Sequence, residues 1–215
     1  MISGKNDLLL AIPNKGRLHE PTVQLLTKAG VNLRATERKY ICETNLPHLR
    51  ILCARAADIP TYVGYGAADI GVTGLDLSYE SKADLYELLD LKYAPCRLTL
   101  AVPNSSKIDS LDDVGKGFRV ATEFLNLTKS FFEQRGIQVE IIPIHGAAEI
   151  TPIIGLADGI VDLVDTGSTL IANDLREVAT ILKSSTRLIC NKISFRTKTA
   201  MIQSFVEQVK EAQRP

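Results

Sequence analysis

The stretch DTGST (165–169) places an acidic residue, a glycine and three hydroxyls between two apolar segments. It follows IVDLV (160–164), which predicts a buried strand, and it precedes LIANDL (170–175), which can begin a helix. Unpaired backbone N–H groups at a helix start, a glycine that permits close approach and hydroxyl groups suit a phosphate monoester. In the alternative interpretation, the same residues form an ordinary cap in which a hydroxyl only satisfies the backbone. The local pattern leaves both open.

Carboxylates surround this 165–169 turn, although like charges would repel an anion. Asp162 lies three residues before Asp165, and Glu149 lies one predicted helix earlier. Carboxylates accept hydrogen bonds from sugar hydroxyls and can approach a divalent cation that a ligand carries. A phosphorylated sugar would therefore use both the hydroxyls and the carboxylates.

Short apolar strands alternate with helical patterns along the rest of the chain. The predicted strands are LLLAI (8–12), IGVT (70–73), LTLAV (98–102) and RVAT (119–122), and the predicted helices are VQLLTKAG (23–30), LDLSYES (75–81) and LTKSFFEQRG (127–136). Gly30, Gly66 and Gly136 are placed to end helices, and Asp58 is placed to cap one before Pro60. This alternation is typical of an α/β fold with mainly parallel sheets.

Two pairs of short sequences echo each other. DIGVTG (69–74) resembles DLVDTG (162–167), and AIPN (11–14) resembles AVPN (101–104). Chance recurrence is one explanation, and two lobes of similar build are the other. The second predicts a discontinuous first lobe of residues 1–94 plus 185–215, and a second lobe of residues 95–184 that carries the turn. Ligands would then bind in a cleft between the lobes, at the strand ends.

Composition excludes several classes of partner. The chain has 215 residues, is 45% hydrophobic and carries 25 basic and 25 acidic side chains, so it has no charge excess to hold nucleic acid. Its four cysteines show no C-x-x-C spacing, which predicts reduced thiols and no structural zinc. The N-terminal apolar run is too short for a signal peptide or a membrane span, which favours a cytoplasmic protein.

The stretch EITPIIGLADGIVDLVDTGSTL (149–170) resembles the signature of the ATP phosphoribosyltransferase family. Further matches in the family's order are PNKGRL (13–18), RAADIPTYVGYGAADIGVTG (55–74), CRLTLAVP (96–103), RVATEFLNLT (119–128) and SFRTK (194–198). The resemblance implies two lobes like those of type II periplasmic binding proteins. It also implies the first step of histidine biosynthesis, in which ATP and phosphoribosyl pyrophosphate form phosphoribosyl-ATP and pyrophosphate with Mg²⁺.

The resemblance also implies which residues bind each substrate. The candidates for phosphoribosyl pyrophosphate are Glu149, Asp162, Asp165, Thr166, Gly167, Ser168 and Thr169. The candidates for ATP are Lys15, Arg17, Arg55, Asp69, Thr73, Gly74, Arg97 and Asn126, and the first three would also serve catalysis by holding phosphate charge.

Each ATP candidate has a structural alternative. The arginines could form surface ion pairs, Asp69 could fix its own turn, and Asn126 could cap a helix that it begins with Thr128. The chain also departs from the family by reading Phe124-Leu125 where relatives commonly read Tyr-Pro, so a role for a tyrosine hydroxyl there is not expected.

The chain resembles the family's short form, which implies a separate regulatory subunit similar to histidyl-tRNA synthetase and a homodimer within a hetero-octamer. Mg²⁺ would arrive with the substrates, near Glu149 and Asp162, without ligands from the protein alone. The competing hypothesis is a non-catalytic two-lobed module that binds a small ligand or serves as a scaffold subunit.

Overall fold

The computed structural model describes residues 7–34 and 40–214. Contacts divide the chain into two compact units, each with its own sheet. The first unit combines Met1–Ala94 with Ser185–Pro215, and the second is the continuous segment Pro95–Ser184.

The elements follow one another in three blocks. The first block, in the first unit, contains β1 (Leu8–Pro13), α1 (His19–Lys28), β2 (Leu33–Arg34), β3 (Ile41–Thr44), β4 (Leu49–Ala54), α2 (Ile59–Gly64), β5 (Ile70–Gly74), α3 (Leu75–Glu80) and β6 (Leu85–Asp90). The second unit contains β7 (Cys96–Pro103), a 3-10 turn (Leu111–Asp113), β8 (Phe118–Thr122), α4 (Leu125–Glu133), β9 (Val139–Pro143), α5 (Ile150–Ile153), β10 (Gly159–Val164), α6 (Ser168–Ala172) and β11 (Leu175–Ser184). The returning block adds β12 (Thr186–Asn191), α7 (Lys192–Thr197) and α8 (Thr199–Ala212) to the first unit.

Both sheets are mixed. The first has the order β2-β3-β4-β1-β5-β12-β6, and the second has the order β11-β7-β10-β8-β9. Parallel pairing joins β4, β1 and β5 in the first and β10, β8 and β9 in the second, while the other pairs are antiparallel. The expectation of mainly parallel sheets is therefore corrected. A continuous apolar run reports burial on both faces and not strand direction, since Leu98–Val102 is buried throughout although β7 is antiparallel to both neighbours.

Strand β1 shows how the first unit is packed. All six of its residues are buried, and alternate side chains belong to two different clusters. Leu10 and Ile12 pack with the apolar stripe of α8, which includes Ile202 and Phe205. On the opposite face, Leu9 and Ala11 pack with Ile59 and Val63 of α2, which completes a helix-sheet-helix arrangement.

In the second unit, β10 is anchored in the core by its first and last apolar residues. Ile160 and Val164 cluster with Ala101, Ala121 and Leu170, which come from β7, β8 and α6. The turn that follows β10 is thus held by a buried strand on one side and by a buried leucine on the other.

The apolar patterns predicted the strands and helices that they covered, with small differences at the ends. The helix ends are also confirmed, because Gly30, Gly66 and Gly136 all adopt positive φ angles just after helices. Asp58 occupies the cap position of α2, but its side chain makes no capping hydrogen bond. Across the described ranges 7–34 and 40–214, no helix combines the length and apolarity needed to span a bilayer.

Candidate active site

The 165–169 turn borders a cavity of about 360 Å³ in the second unit. This cavity brings together all seven residues predicted to bind phosphoribosyl pyrophosphate, namely Glu149, Asp162, Asp165, Thr166, Gly167, Ser168 and Thr169. Apolar residues of β10 and Leu170 complete its wall. Hydroxyls, backbone groups and carboxylates therefore share one concave surface, as a phosphorylated sugar would require.

The backbone of the turn depends on Gly167. Its φ angle of 85° lies in the left-handed region, which costs a glycine little, and it occupies the cap position of α6. Gly167 has no side chain to cap α6, but the Thr166 hydroxyl accepts a hydrogen bond from the Ser168 N–H at 3.4 Å, so the backbone-satisfying role offered as the alternative applies to Thr166. The Thr166 and Ser168 hydroxyls lie 3.0 Å apart. Two oxygens at this spacing can address the same ligand group.

Helix α6 is shorter than the sequence suggested. It begins at Ser168, within the turn, and spans only five residues, whereas LIANDL (170–175) was expected to start the helix. Asp174 then adopts a φ angle of 55°, and β11 begins at Leu175. The reversal at Asp174 ends the helix because a positive φ angle is incompatible with a right-handed α-helix.

Asp162 is the carboxylate whose acidity is most changed in this cavity. Burial raises the pKa of Asp162 to about 6, the Leu163 N–H opposes this rise, and the negative charges of Glu123 and Glu149 add to it. The Leu163 N–H donates to Asp162 Oδ1 at 2.7 Å. A carboxyl group that titrates near neutrality can change its hydrogen-bonding role with modest changes of surroundings.

Arg97 lies beside the same turn but is already paired. Its Nε donates to Glu177 Oε2 at 2.8 Å, and its Nη2 donates to Glu177 Oε1. Its Nη1 donates to the Asp165 carbonyl at 3.1 Å. Arg97, which was predicted to bind ATP, therefore links the Glu177 carboxylate to the backbone of the 165–169 turn in the second unit. We call this set of contacts the bracket.

In the first unit, Lys15 and Arg55 line a cavity of about 710 Å³. Tyr40 and Tyr62 contribute aromatic rings to its wall, and Asp58 contributes a carboxylate. Both cations have exposed side chains, so they are available to a ligand at low desolvation cost. Arg17, also exposed, belongs to the loop after β1 and does not line this cavity.

Asp69 has a structural position. Its carboxylate accepts hydrogen bonds from the Leu9 N–H at 2.9 Å, from Ser194 Oγ at 2.7 Å and from Lys198 Nζ at 2.9 Å. The side chain is only 7% exposed. Asp69 therefore ties β1 to α7 and to the cap of α8, which differs from the local turn bond offered as its structural alternative, and its contact with ATP stays a prediction.

Thr73 and Gly74, the next residues of that motif, are also internal. The Thr73 hydroxyl is fully buried and donates to the Ala56 carbonyl at 2.9 Å. Gly74 leaves room for the buried Asp76, since a Cβ at Gly74 would approach Asp76 Oδ1 to 2.4 Å. Neither residue presents a side-chain group to a ligand, so the ATP contacts expected from them are limited to backbone.

Asn126 lies in the first turn of α4, and the helix already begins at Leu125, with Phe124 at its cap. Asn126 and Thr128 therefore do not begin the helix as expected. Phe124 is 3% exposed and packs inside the second unit, which places the family's usual tyrosine position in the core. The Thr128 hydroxyl is buried without a hydrogen-bond partner among the described residues.

Two residues of this region were missed by sequence reasoning. Glu177 follows the turn by eight residues and reaches Arg97 across 80 positions. Glu123 directly follows β8 and acts on Asp162 through its charge. Neither lies in a recognisable motif, and only tertiary pairing brings them to the turn.

The fold and the polar turn define a class of protein, the α/β proteins with the architecture of type II periplasmic binding proteins. The periplasmic aliphatic sulphonate binding protein of Escherichia coli matches 97% of this chain and 72% of its own, with a TM-score of 0.58 and 16% identity. At that identity the likeness concerns the fold alone.

Sequence comparison then gives the family. The family model for ATP phosphoribosyltransferase matches residues 55–211. The ATP phosphoribosyltransferase of Methanococcoides burtonii is 47% identical over 204 residues, which cover 94% of this chain and 70% of the relative. A chain of the ATP phosphoribosyl transferase (HisG:HisZ) complex from Thermotoga maritima is 36% identical, with a TM-score of 0.84 over 96% of this chain and 98% of that chain. The chain belongs to the ATP phosphoribosyltransferase family.

Proposed function

We propose that this chain transfers the phosphoribosyl group of phosphoribosyl pyrophosphate to N1 of the ATP adenine, the first step of histidine biosynthesis. The bond between adenine N1 and the anomeric carbon forms as the bond from that carbon to pyrophosphate breaks. The adenine loses one proton from its exocyclic amino group. The products are phosphoribosyl-ATP and pyrophosphate.

The observation that carries this proposal is the cavity at the 165–169 turn, within a chain of this family. Exposed hydroxyls at Thr166, Ser168 and Thr169 offer donors to the 5′-phosphate, while Glu149 and Asp162 offer acceptors to the ribose hydroxyls. A bare anion would be repelled by those carboxylates, whereas a phosphorylated sugar uses both kinds of group. The site therefore favours phosphoribosyl pyrophosphate over inorganic phosphate.

The reaction places modest demands on protein acid-base chemistry. Adenine N1 is a weak neutral nucleophile, and the ribose ring develops positive charge as pyrophosphate departs. Alignment of the two substrates can supply an effective concentration of roughly 10⁵ M. Lys15, Arg17 and Arg55, all exposed cations of the first unit, would hold phosphate charge of ATP and of the leaving group.

The proposed cofactor is Mg²⁺ carried by the substrates. Magnesium commonly binds through one or two carboxylates together with substrate phosphates. Asp162 and Glu149 provide such oxygen donors in one cavity, and the described residues contain no group of three or more metal-binding side chains. The ion would supply charge neutralisation for the pyrophosphate and would lie near these two carboxylates, while the substrate phosphates carry it.

The proposed partner is a HisZ-type regulatory subunit, as in the HisG:HisZ complex of Thermotoga maritima. We further propose a homodimer of this chain within a hetero-octamer, located in the cytoplasm where its substrates are made. The proposed partner rests on similarity to that complex, whereas the stoichiometry and the location rest on the resemblance to the family's short form.

The deciding experiment is a turnover assay. The purified chain is supplied with ATP, phosphoribosyl pyrophosphate and Mg²⁺, with and without a HisZ-type subunit, and phosphoribosyl-ATP and pyrophosphate are both quantified. We expect stoichiometric formation of the two products, with a higher rate in the presence of the subunit. Absence of product under both conditions would favour a non-catalytic binding or scaffold subunit.

A further inference from the structure

We infer that Glu177 is a positioning residue for the 165–169 turn, acting through Arg97. This inference rests on the proposed function, because the turn must bind the 5′-phosphate of phosphoribosyl pyrophosphate for its position to affect turnover. Glu177 lies outside the stretch 149–170 that resembles the family signature. Its role is inferred from the contacts that it makes within the second unit.

The contacts form a continuous bracket. Glu177 fixes Arg97 through two parallel hydrogen bonds, and Arg97 Nη1 reaches the Asp165 carbonyl at 3.1 Å. The Thr99 hydroxyl donates to the Ala179 carbonyl at 2.8 Å and lies 3.3 Å from Glu177 Oε2, beside the carboxylate. The planar guanidinium therefore links strand β11 to the first residue of the turn, with its orientation set from both sides.

An irregularity in β11 is part of the same arrangement. The register between β11 and β7 shifts between Glu177 and Ala179. Bulges of this kind redirect a side chain that regular pairing would hold elsewhere. The irregular strand thus coincides with the residue that grips Arg97.

The bracket explains why Arg97 acts on the ligand indirectly. Pairing with Glu177 raises the pKa of Arg97 and lowers that of Glu177, so both groups are charged and their charges largely offset each other. The Nη2 atom would lie 3.9 Å from a Cβ placed on Gly167, close behind the backbone of the turn. Arg97 supports the turn geometrically and contributes little net charge to it.

The second unit contains a matched control. Arg119 binds Asp158 through two hydrogen bonds, at 2.7 and 3.2 Å, and donates to the Gly155 carbonyl at 3.0 Å. The side chains of Arg119 and Asp158 are 36% and 40% exposed, which is similar to the 33% and 32% of Arg97 and Glu177. This control pair is also an arginine–carboxylate pair with a backbone carbonyl partner; its carboxylate additionally accepts from the Arg119 N–H at 2.9 Å, and neither side chain lines the cavity at the turn.

The test compares Glu177→Gln and Arg97→Lys with Asp158→Asn and Arg119→Lys in the full chain. Binding of phosphoribosyl pyrophosphate is measured by calorimetry, the KM of each substrate is measured in the turnover assay, and thermal unfolding is recorded for every variant. We expect the first two changes to raise the Kd and KM for phosphoribosyl pyrophosphate roughly five- to twentyfold, with the KM for ATP unchanged. The control changes should leave all three constants unaltered while lowering stability to a similar extent.

Three results would overturn the inference. If Glu177→Gln tightens the binding of phosphoribosyl pyrophosphate, Arg97 pairs directly with the negative charge of the ligand, and Glu177 competes with the ligand for Arg97. If the control variants weaken binding as much, or if the two bracket variants fail to fold while the controls fold, the pair is only structural. Failure of the native chain to bind phosphoribosyl pyrophosphate at all would instead remove the proposed function, and this inference with it.

Discussion

The motifs DIGVTG (69–74) and DLVDTG (162–167) share an aspartate, a threonine and a glycine at equal spacing but have opposite surroundings. In the first, Asp69 is neutralised by Lys198 and the Thr73 hydroxyl is fully buried. In the second, Asp162 faces other carboxylates and Thr166 is exposed. The comparison teaches that one local pattern can serve as an internal fastening in one unit and as an open, ligand-ready turn in the other.

Asp69→Asn should have the largest effect, on stability. Lys198 would keep its charge at a position where its side chain is only 12% exposed, without the carboxylate that balances it. Removing one partner of such a buried pair costs about 3–5 kcal/mol of the free energy of unfolding. Urea unfolding near neutral pH measures this loss, and a loss below about 1 kcal/mol would show that the pair is not a fastening.

Thr169→Ala should act on binding and leave stability unchanged, because the hydroxyl is exposed on the cavity wall. Loss of one hydrogen bond to a charged phosphate should weaken binding of phosphoribosyl pyrophosphate by about 1–3 kcal/mol. Thr73→Ala is the matched change in the other motif, and it should lower stability by about 1 kcal/mol without affecting binding. Calorimetry and urea unfolding on both variants test the contrast, which fails if Thr169→Ala binds normally.

Gly167→Ala should lower stability by about 1–2 kcal/mol, since an alanine at a φ angle of 85° is strained. Gly167→Asn is the control, because asparagine tolerates the left-handed region better. The space around Gly167 is open to 3.9 Å, so the difference between the two variants reports backbone strain rather than a clash. Equal thermal stability of the alanine variant and the native chain would contradict this account.

Asp162→Asn should change the free energy of unfolding least, and it should raise that free energy whereas Asp69→Asn lowers it. The pKa of Asp162 is about 6 in the folded chain and 3.8 by reference, so the folded state binds the extra proton. Stability should therefore fall as pH rises from about 4 to about 6, and the asparagine variant should lack that fall. Near neutral pH it should be more stable by about 1 kcal/mol, allowing for partial solvent exposure.

Unfolding measured over a pH series checks this prediction. Glu123 and Glu149 contribute to the raised pKa and remain in the variant, so Glu149→Gln should reduce the effect only in part. A less stable Asp162→Asn variant near neutral pH would mean that the ionised carboxylate is stabilised by contacts outside those described.

Local sequence patterns predicted the α/β class and the residues of the turn, because these depend on neighbours along the chain. The apolar runs at β1, β5, β7 and β8 and the glycine-hydroxyl turn after β10 are all of this kind. By contrast, Asp69 finds Lys198 129 positions away, and Arg97 finds Glu177 80 positions away. Periodic sequence patterns do not identify such distant partners, so the sequence could offer an ion pair at Arg97 only as an alternative and could not name Glu177.

The sequence pattern also could not predict whether neighbouring strands run parallel or antiparallel. Burial on both faces makes β7 apolar regardless of whether its neighbours run parallel, and the short strands β2 and β3 are too brief or too polar for a periodic signal. The residues of the turn and its carboxylates suggested a phosphorylated sugar, and the family resemblance supplied phosphoribosyl pyrophosphate as the substrate proposed for the second unit.

The return of the chain to the first unit has a consequence for biosynthesis. Strand β12 lies between β5 and β6 in the sheet of the first unit. The other six strands of that sheet are synthesised before the second unit, and β12 is synthesised after it, so the sheet can be completed only then. During translation, the continuous segment Pro95–Ser184 can fold while the sheet of the first unit still lacks β12. Lys198, which pairs with Asp69, is likewise synthesised only after the whole second unit.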